Sequence, residues 1–246
     1  MGEALIQVEK LEIGWTDRVL MRDVSFRVEA GEIFVILGGS GCGKSTLLRH
    51  LIGLEVARSG SIHIAGIGAP RLETSRPRYG VMFQSGALFG SMTLHENVAL
   101  PLRTWTDLDE AAVDAVVRDR LRLVGLDGFE HHLPAEISGG MKKRAGIARA
   151  LALEPPLLFL DEPSAGLDPV SADELDELLL TLKRDVGVTT VLVTHELPSI
   201  FKVADRCIML DRDAQGMIAT GDPRELRDTS ADPRVRRFFH RQSRGA

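Results

Sequence analysis

Nine consecutive residues rich in glycine constrain this chain more than any other stretch of its sequence. They are Gly38, Gly39, Ser40, Gly41, Cys42, Gly43, Lys44, Ser45 and Thr46. An apolar run over residues 33–37 precedes them, and apolar residues with helical spacing follow over 47–52. This order predicts a strand, a loop and a helix. Such a loop lets successive backbone N–H groups surround a polyphosphate at the positive end of the helix.

Two side chains of this loop are expected to contact a nucleotide and its metal ion. Lys44 is predicted to reach the β- and γ-phosphates, and Ser45 to offer its hydroxyl to Mg²⁺. The alternative is a glycine-rich turn that carries Lys-Ser by chance, which the strand before it and the helix after it disfavour. Cys42 lies at the helix N-terminus among backbone N–H groups, a position that predicts a lowered thiol pKa.

Composition and charge exclude several classes of protein. The chain has 246 residues, 44% of them apolar, so it can bury the core of one large domain or of a core with a subdomain. Its net charge of −5 argues against a nucleic-acid partner, because phosphate neutralisation needs a basic surface. The two cysteines, Cys42 and Cys207, suggest neither a disulfide framework nor a metal site, which fits a reducing cytoplasm. The apolar runs are far shorter than the roughly 18 residues that cross a bilayer, so work at a membrane would need other chains.

Three short segments with alternating polarity lie around the glycine loop in sequence. Residues 6–13, 24–29 and 61–65 predict a small, largely antiparallel sheet beside the nucleotide core. Trp15 falls between the first two segments. Its indole could stack on an adenine ring or pack in the core, and the residues leave both interpretations open.

A strand over residues 78–83 is predicted to end at Gln84, whose amide is then well placed to reach a metal ion or water. From residue 94 to 124 the apolar spacing becomes helical, with Asp107 as the expected N-cap and Gly125 as the expected end. This helical block interrupts the alternation of strands and helices. It is therefore a candidate subdomain inserted into the core.

Ser138, Gly139 and Gly140 precede a helix for which Ser138 is the predicted N-cap, although this pattern alone is weak. A continuous apolar strand over residues 157–160 then ends at Asp161 and Glu162. Carboxylates at the end of such a strand are costly unless they face a site. Asp161 is expected to hold Mg²⁺ through water, and Glu162 to act as general base on the attacking water. An acidic turn that caps the next helix is the alternative.

The remaining part of the sequence adds one more polar strand end and a basic tail. The strand 188–194 ends at His195, whose imidazole could bind the γ-phosphate or serve a structural role. His131 and His132 are interpreted as solvated. The tail from Asp222 onward is polar and rich in arginine, and it predicts a helix that docks on this chain, a second copy or a partner. Its possible anchors are Val235, Phe238 and Phe239.

Taken in order, these motifs resemble those of the nucleotide-binding subunits of ATP-binding cassette (ABC) transporters over residues from about 5 to 225. The resemblance makes Gln84 the Q-loop residue and Asp168 a D-loop residue. It also identifies the family's other motifs in this sequence: the signature (Ser138, Gly139, Gly140), the end of the Walker B strand (Asp161, Glu162), the switch histidine (His195) and the aromatic residue that stacks on adenine (Trp15). It implies an α/β P-loop NTPase core with an antiparallel β subdomain and an inserted α-helical subdomain. The ABC ATPase domain would span residues 1–222, with the helical subdomain at about 86–150, and residues 223–246 would form a tail able to dock a partner.

The resemblance also implies ATP and Mg²⁺ as cofactors and an ATPase that works as a homodimer. Two subunits of this family pair head to tail, so Ser138 of one chain would meet the γ-phosphate bound by the other. The inserted helical block and the segment after Gln84 would contact an integral membrane permease.

One departure from the common pattern narrows the resemblance. Met141 follows the signature glycines, with Lys142, Lys143, Arg144 and Ala145 after it. This variant, the segment 83–89 and the tail segment 232–239 are similar to the ATPases of MCE-type lipid transporters, such as the Mla phospholipid system. That similarity implies an MCE substrate-binding protein, a STAS-like regulatory subunit and a location at the cytoplasmic face of the bacterial inner membrane. The alternatives are the ATPase of an amino-acid or other small-solute importer and a soluble ABC ATPase without a permease.

Overall fold

The computed structural model describes residues 4–15, 17–71 and 76–240. The chain divides into two compact units, one made of Met1–Leu72 with Thr189–Ala246 and the other of Glu73–Val188. Within the described residues, no helix is both long and apolar enough to span a bilayer. The α/β class predicted from the sequence is confirmed.

The first unit contains an antiparallel sheet of three strands. Its members are β1 (Ala4–Trp15), β2 (Arg18–Glu29) and β4 (Ser59–Ile64), in the order β2-β1-β4. In β2 the buried residues change phase between Met21 and Val24, across Asp23 with its positive φ of 51°. This irregularity re-aims the side chains, so both halves of the strand face the core. It also explains why alternation alone predicted β2 only from residue 24.

The strand that leads into the glycine loop lies in the middle of a second set of strands in this unit. This strand, β3 (Ile33–Gly38), is parallel to β7 (Thr189–Val193) on one side and to β8 (Arg206–Asp211) on the other. An antiparallel strand, β9 (Gly216–Gly221), pairs with β8. Every residue of β3 is buried, as its unbroken apolar run requires.

Four helices lie in the part of the first unit that the structure describes. They are α1 (Lys44–Leu51), α6 (Leu197–Val203), α7 (Pro223–Thr229) and α8 (Pro233–Phe239). Val235 and Phe239 of α8 are buried, and the Phe239 ring lies 5.6 Å from the ring of Phe201 on α6. The described part of the tail therefore docks on its own chain, which was one of the three outcomes left open by the sequence.

The second unit pairs two short parallel strands with a group of helices. The strands are β5 (Gly80–Met82) and β6 (Leu157–Asp161). The helices are α2 (Leu94–Trp105), α3 (Glu110–Leu123), α4 (Gly139–Ala150) and α5 (Pro169–Thr181), with a 3₁₀ turn at Pro134–Glu136 and a π turn at Leu182–Val186. The π turn ends at Gly187, whose φ of 74° is accessible to glycine at little cost.

The predicted cap at Asp107 is wrong. The helical block is two helices, and the N-cap of α3 is Asp109, which accepts a hydrogen bond of 2.8 Å from the N–H of Ala112. Thr93 caps α2 in a reciprocal arrangement with Glu96, a signal that the sequence carried as Thr-x-x-Glu. The predicted end at Gly125 is confirmed by its φ of 70° just beyond α3.

Candidate functional site

The glycine loop connects β3 to α1 as predicted. Gly43 is the N-cap of α1 with a φ of 102°, so no side chain at that position competes for the first N–H groups of the helix. No acidic residue occupies the first turn either. The N-terminus of α1 therefore presents backbone donors and positive potential to an anion.

The glycines of the loop fall into two kinds. A Cβ built at Gly38 would lie 2.5 Å from the carbonyl oxygen of Leu210 and 2.6 Å from the Sγ of Cys42, so the loop can leave β3 only through glycine. At Gly39 and Gly41, by contrast, no atom of the described residues lies within 4 Å of a built Cβ. This part of the loop is clear on its outer side, and the arrangement fits a backbone cradle for polyphosphate.

The ammonium group of Lys44 lies within the glycine loop. Its Nζ donates hydrogen bonds of 3.0 Å to the carbonyl oxygen of Gly38 and 3.3 Å to that of Gly39. The neighbouring Ser45 and Thr46 are half-buried at the start of α1, while Ser40 is exposed. The ammonium group therefore lies among the carbonyls of the loop, and its contact with phosphate stays a prediction.

The expected low pKa of Cys42 is wrong. Its side chain is buried, and this burial raises the pKa of the thiol despite the nearby charge of Lys44, which lowers it. The sequence indicated the helix N-terminus and the lysine correctly. It did not indicate how closely Gly38 and Cys42 pack, which removes the sulfur from water.

Two further predicted site residues lie in the first unit. Trp15 is 55% exposed at the end of β1, so it is not a core tryptophan, while a packing role outside the core stays open beside stacking on a base. His195 comes directly after Thr194 beyond β7 and is exposed, with its Nε2 3.5 Å from a carboxylate oxygen of Glu196. Stacking on adenine and contact with a γ-phosphate stay predictions.

In the second unit, Asp161 is the last residue of β6 and Glu162 follows it directly, and both are buried. Glu162 has a φ of 48°, a left-handed backbone conformation that is uncommon for a residue other than glycine. The last paired residues of the two parallel strands are Met82 and Leu160, so Gln84 and Glu162 each stand two residues beyond that pair. The predicted Q-loop residue and the predicted general base therefore occupy equivalent positions after the two paired strands.

Lys143 contacts both of these strand ends and was not predicted as a site residue. Its Nζ donates a hydrogen bond to the carbonyl oxygen of Gln84 and another, of 3.3 Å, to that of Glu162. A signal for it exists in the sequence, because helical spacing puts Lys143 on the same face of α4 as Gly140 and Ile147, which are buried. A lysine on such a face needs polar partners.

The signature serine and the predicted D-loop aspartate are both helix caps. Ser138 accepts a 3.2 Å hydrogen bond from the N–H of Met141 at the start of α4 and is exposed, as is Gly139. Asp168 caps α5 by accepting hydrogen bonds from the N–H and hydroxyl of Ser171, and these bonds lower the pKa of its carboxyl. A Cβ built at the buried Gly140 would lie 3.2 Å from the Cβ of Ser171, so the starts of the two helices are close-packed.

A glycine loop after a buried parallel strand, together with paired carboxylates at the end of another, defines a P-loop nucleotide-hydrolysing protein. The family model described as "ABC transporter" matches residues 21–165, which is more than half of the chain. The chain belongs to the ABC transporter family, and it is an ATP-binding and ATP-hydrolysing subunit of a transporter.

Named relatives agree with this family. The chain is 43% identical over 245 residues to the probable ribonucleotide transport ATP-binding protein mkl of Mycobacterium leprae, covering 98% of this chain and 70% of that protein. It is 40% identical over 241 residues to the intermembrane phospholipid transport system ATP-binding protein MlaF of Escherichia coli K12, covering 94% and 88%. Among solved structures, a dimeric post-hydrolysis state of the ATP-binding cassette MJ0796 bound to ADP and Pi matches with a TM-score of 0.77 and 27% identity, over 88% of this chain and 98% of the other.

Proposed function

We propose that this chain powers phospholipid transport across the bacterial envelope. The observation that carries the proposal is the 40% identity to the phospholipid ATPase MlaF, which extends over 94% of this chain and 88% of that protein. A sulfate/thiosulfate import ATPase of Agrobacterium fabrum is also 40% identical, but over only 84% of this chain and 60% of its own length. The signature variant from Met141 to Ala145, similar to that of MCE-type ATPases, supports the same substrate class.

The predicted site residues have distinct chemical roles in the proposed reaction. Lys44 and the loop amides bind the β- and γ-phosphates, and His195 donates a hydrogen bond to the γ-phosphate. Ser45, Gln84 and Asp161 would hold Mg²⁺, which when bound neutralises charge on the phosphates. Glu162 accepts a proton from the attacking water. Trp15 stacks on the adenine ring and so holds the other end of the nucleotide.

Replacement of Glu162 tests the base. Glu162→Gln keeps the size of the side chain but removes the proton acceptor, so we expect ATP hydrolysis to fall by at least about a hundredfold while ATP binding persists. Lys44→Ala should instead weaken ATP binding itself, because it removes the charge within the loop. Phosphate release and fluorescent ATP-analogue titration separate the two effects. Unaltered hydrolysis by Glu162→Gln would refute the assignment of the base.

The proposed active form is a head-to-tail homodimer. Ser138 is exposed at the N-terminus of α4, a helix with no acidic residue in its first turn. A γ-phosphate bound by a second copy would meet there the same kind of backbone donors that the glycine loop offers. The dimeric state recorded for the structural relative bound to ADP and Pi supports this arrangement.

The proposed membrane contact involves the segment 83–89 and the helices that follow it. Phe83 is 37% exposed and Phe89 is 52% exposed, and exposed aromatic rings often mark a surface that a partner covers. We assign this surface to the permease. The proposed complex also includes an MCE substrate-binding protein and a STAS-like regulatory subunit. Through the permease, this chain would lie at the cytoplasmic face of the inner membrane.

A second candidate substrate class is the ribonucleotides, which the name of the mycobacterial relative mentions. Purification of the tagged chain with its permease from the host membrane separates the two candidates. Phospholipid recovered by solvent extraction, together with ATPase stimulation by phospholipid vesicles, supports lipid transport. A complex that is stimulated by ribonucleotides and not by vesicles would overturn it in favour of small-solute import.

A further inference from the structure

Lys143 is a buried cation in the second unit. Its side chain is 7% exposed, and it lies on α4, the helix that Ser138 caps. Lysine is rarely buried without partners, because removing an ammonium group from water is costly. The partners of Lys143 therefore show what its charge is used for.

Those partners are the backbone carbonyls at the ends of two paired strands. Lys143 Nζ donates to the oxygen of Gln84, beyond β5, and to the oxygen of Glu162, beyond β6. The two residues are equivalent in register, because each follows by two positions the last parallel pair, Met82 with Leu160. One ammonium group thus bridges the backbones of two residues whose side chains have proposed roles in hydrolysis.

The charge of Lys143 is balanced locally. Burial lowers the pKa of its ammonium group, whereas the negative charges of Glu162 and Asp161 act in the opposite direction. The same cation therefore attracts the carboxylates of β6 and holds their backbone. A purely apolar side chain could fill this volume, but it could supply neither the charge nor the two hydrogen bonds.

The same helix holds the continuation of the Gln84 segment. Arg149, six residues further along α4, donates hydrogen bonds of 3.1 Å to the carbonyl oxygen of Gly86 and 2.8 Å to that of Ala87. Between the two cations lies Gly146, where a built Cβ would be 3.2 Å from the oxygen of Gly86. The segment is thus held close to α4 from Gln84 to Ala87.

We propose that Lys143 is a positioning residue for ATP hydrolysis, whose ammonium group fixes the backbones of Gln84 and Glu162 to each other. Displacement of the Gln84 segment by a partner is then passed through Lys143 to the carboxylate of Glu162. The proposal rests on the proposed function of Glu162 as general base. It concerns the rate of hydrolysis and not the binding of ATP, because the contacts of Lys143 are with the residues that follow β5 and β6.

The test compares three replacements of Lys143 in the full chain with Mg²⁺ and ATP. Lys143→Met keeps the length of the side chain but removes charge and donors, so we expect kcat to fall by at least about tenfold while KM changes by less than about threefold. Lys143→Arg restores both charge and donors, and it should recover most of the lost rate. Lys142→Met, on the half-buried neighbour, removes the same charge from the same helix and should leave kcat within about twofold of the unmodified chain.

Stability is measured in parallel by thermal unfolding. Should Lys143→Met fail to fold, Lys143→Gln takes its place as the neutral variant. Its amide retains hydrogen-bond donors without the charge, and we expect this replacement to lower kcat as well. A kcat for the folded neutral variant within about twofold of normal would overturn the proposal, as would an equal loss in Lys142→Met or no rescue by arginine. Glu162→Gln is assayed alongside. If that variant still hydrolyses ATP, the base assignment fails, whereas if it is inactive and Lys143→Met is fully active, only the positioning role fails.

Discussion

Cys42 illustrates how packing decides the chemistry of a single residue. Its sulfur would lie only 2.6 Å from a Cβ built at Gly38, and its side chain is 4% exposed. The charge of Lys44 and nearby N–H groups favour the thiolate, but desolvation is the larger effect and the pKa of the thiol is raised. Cys207 behaves in the same way, since burial raises the pKa of its thiol to about 12.

We therefore predict that Cys42 is alkylated slowly near neutral pH, even without nucleotide. Because its pKa lies above the ordinary value of 9.0, the thiolate fraction and the labelling rate should still increase as the pH rises through 9. Mass spectrometry of maleimide labelling in a Cys207→Ser background measures the rate. Labelling as fast in buffer as in denaturant would contradict this prediction.

At the scale of elements, the caps determine where the helical block divides. Asp109 accepts the N–H of Ala112, whereas Asp107 lies two residues before it, outside α3. An N-cap side chain satisfies a donor that the first turn of a helix cannot pair internally. The identity of the cap thus fixes the start of α3.

Asp109→Ala should lower the free energy of unfolding by about 1 kcal/mol, because α3 loses its capping acceptor. Asp107→Ala is the matched control and should change it by less than about 0.5 kcal/mol. Urea unfolding followed by circular dichroism measures both. Equal losses in the two variants would indicate that Asp107 also supports the helix.

The strands and the site residues differ in how well the sequence predicts them. Continuous apolar runs predicted the buried strands β3 and β6 nearly to the residue, because a strand buried on both faces needs no alternation. The first half of β2 was missed, because Asp23 reverses the phase of the alternation. Among site residues, the motifs indicated Lys44, Ser138 and Glu162. No motif indicated Lys143, because its partners are backbone oxygens, and its position on the buried face of α4 was the signal that the sequence carried.

For the whole molecule, the exposed N-terminus of α4 makes the proposed dimer testable. Ser138→Glu would put a negative charge where the γ-phosphate of a second copy is expected, while a carboxylate at that end of a helix favours the folded monomer. We therefore expect a stable monomer that binds ATP but does not dimerise.

Sedimentation in the presence of Mg²⁺ and ATP provides the measurement. Glu162→Gln should form dimers, and Glu162→Gln with Ser138→Glu should remain monomeric. Glu162→Gln with Thr104→Glu, which adds the same charge at an exposed site on α2, controls for net charge and should still form dimers. Dimers of normal affinity in the Ser138→Glu variant would refute the head-to-tail arrangement.

The hydrogen bonds from α4 to residues 84–87 bear on which changes of sequence this segment can accept. Lys143 and Arg149 donate hydrogen bonds to the backbone oxygens of Gln84, Gly86 and Ala87, and every amino acid carries such an oxygen. Side-chain substitutions at Gln84 and Ala87 therefore remove none of these acceptors. Under the proposed permease contact, this surface can change its side chains and still keep the hydrogen bonds that join it to α4.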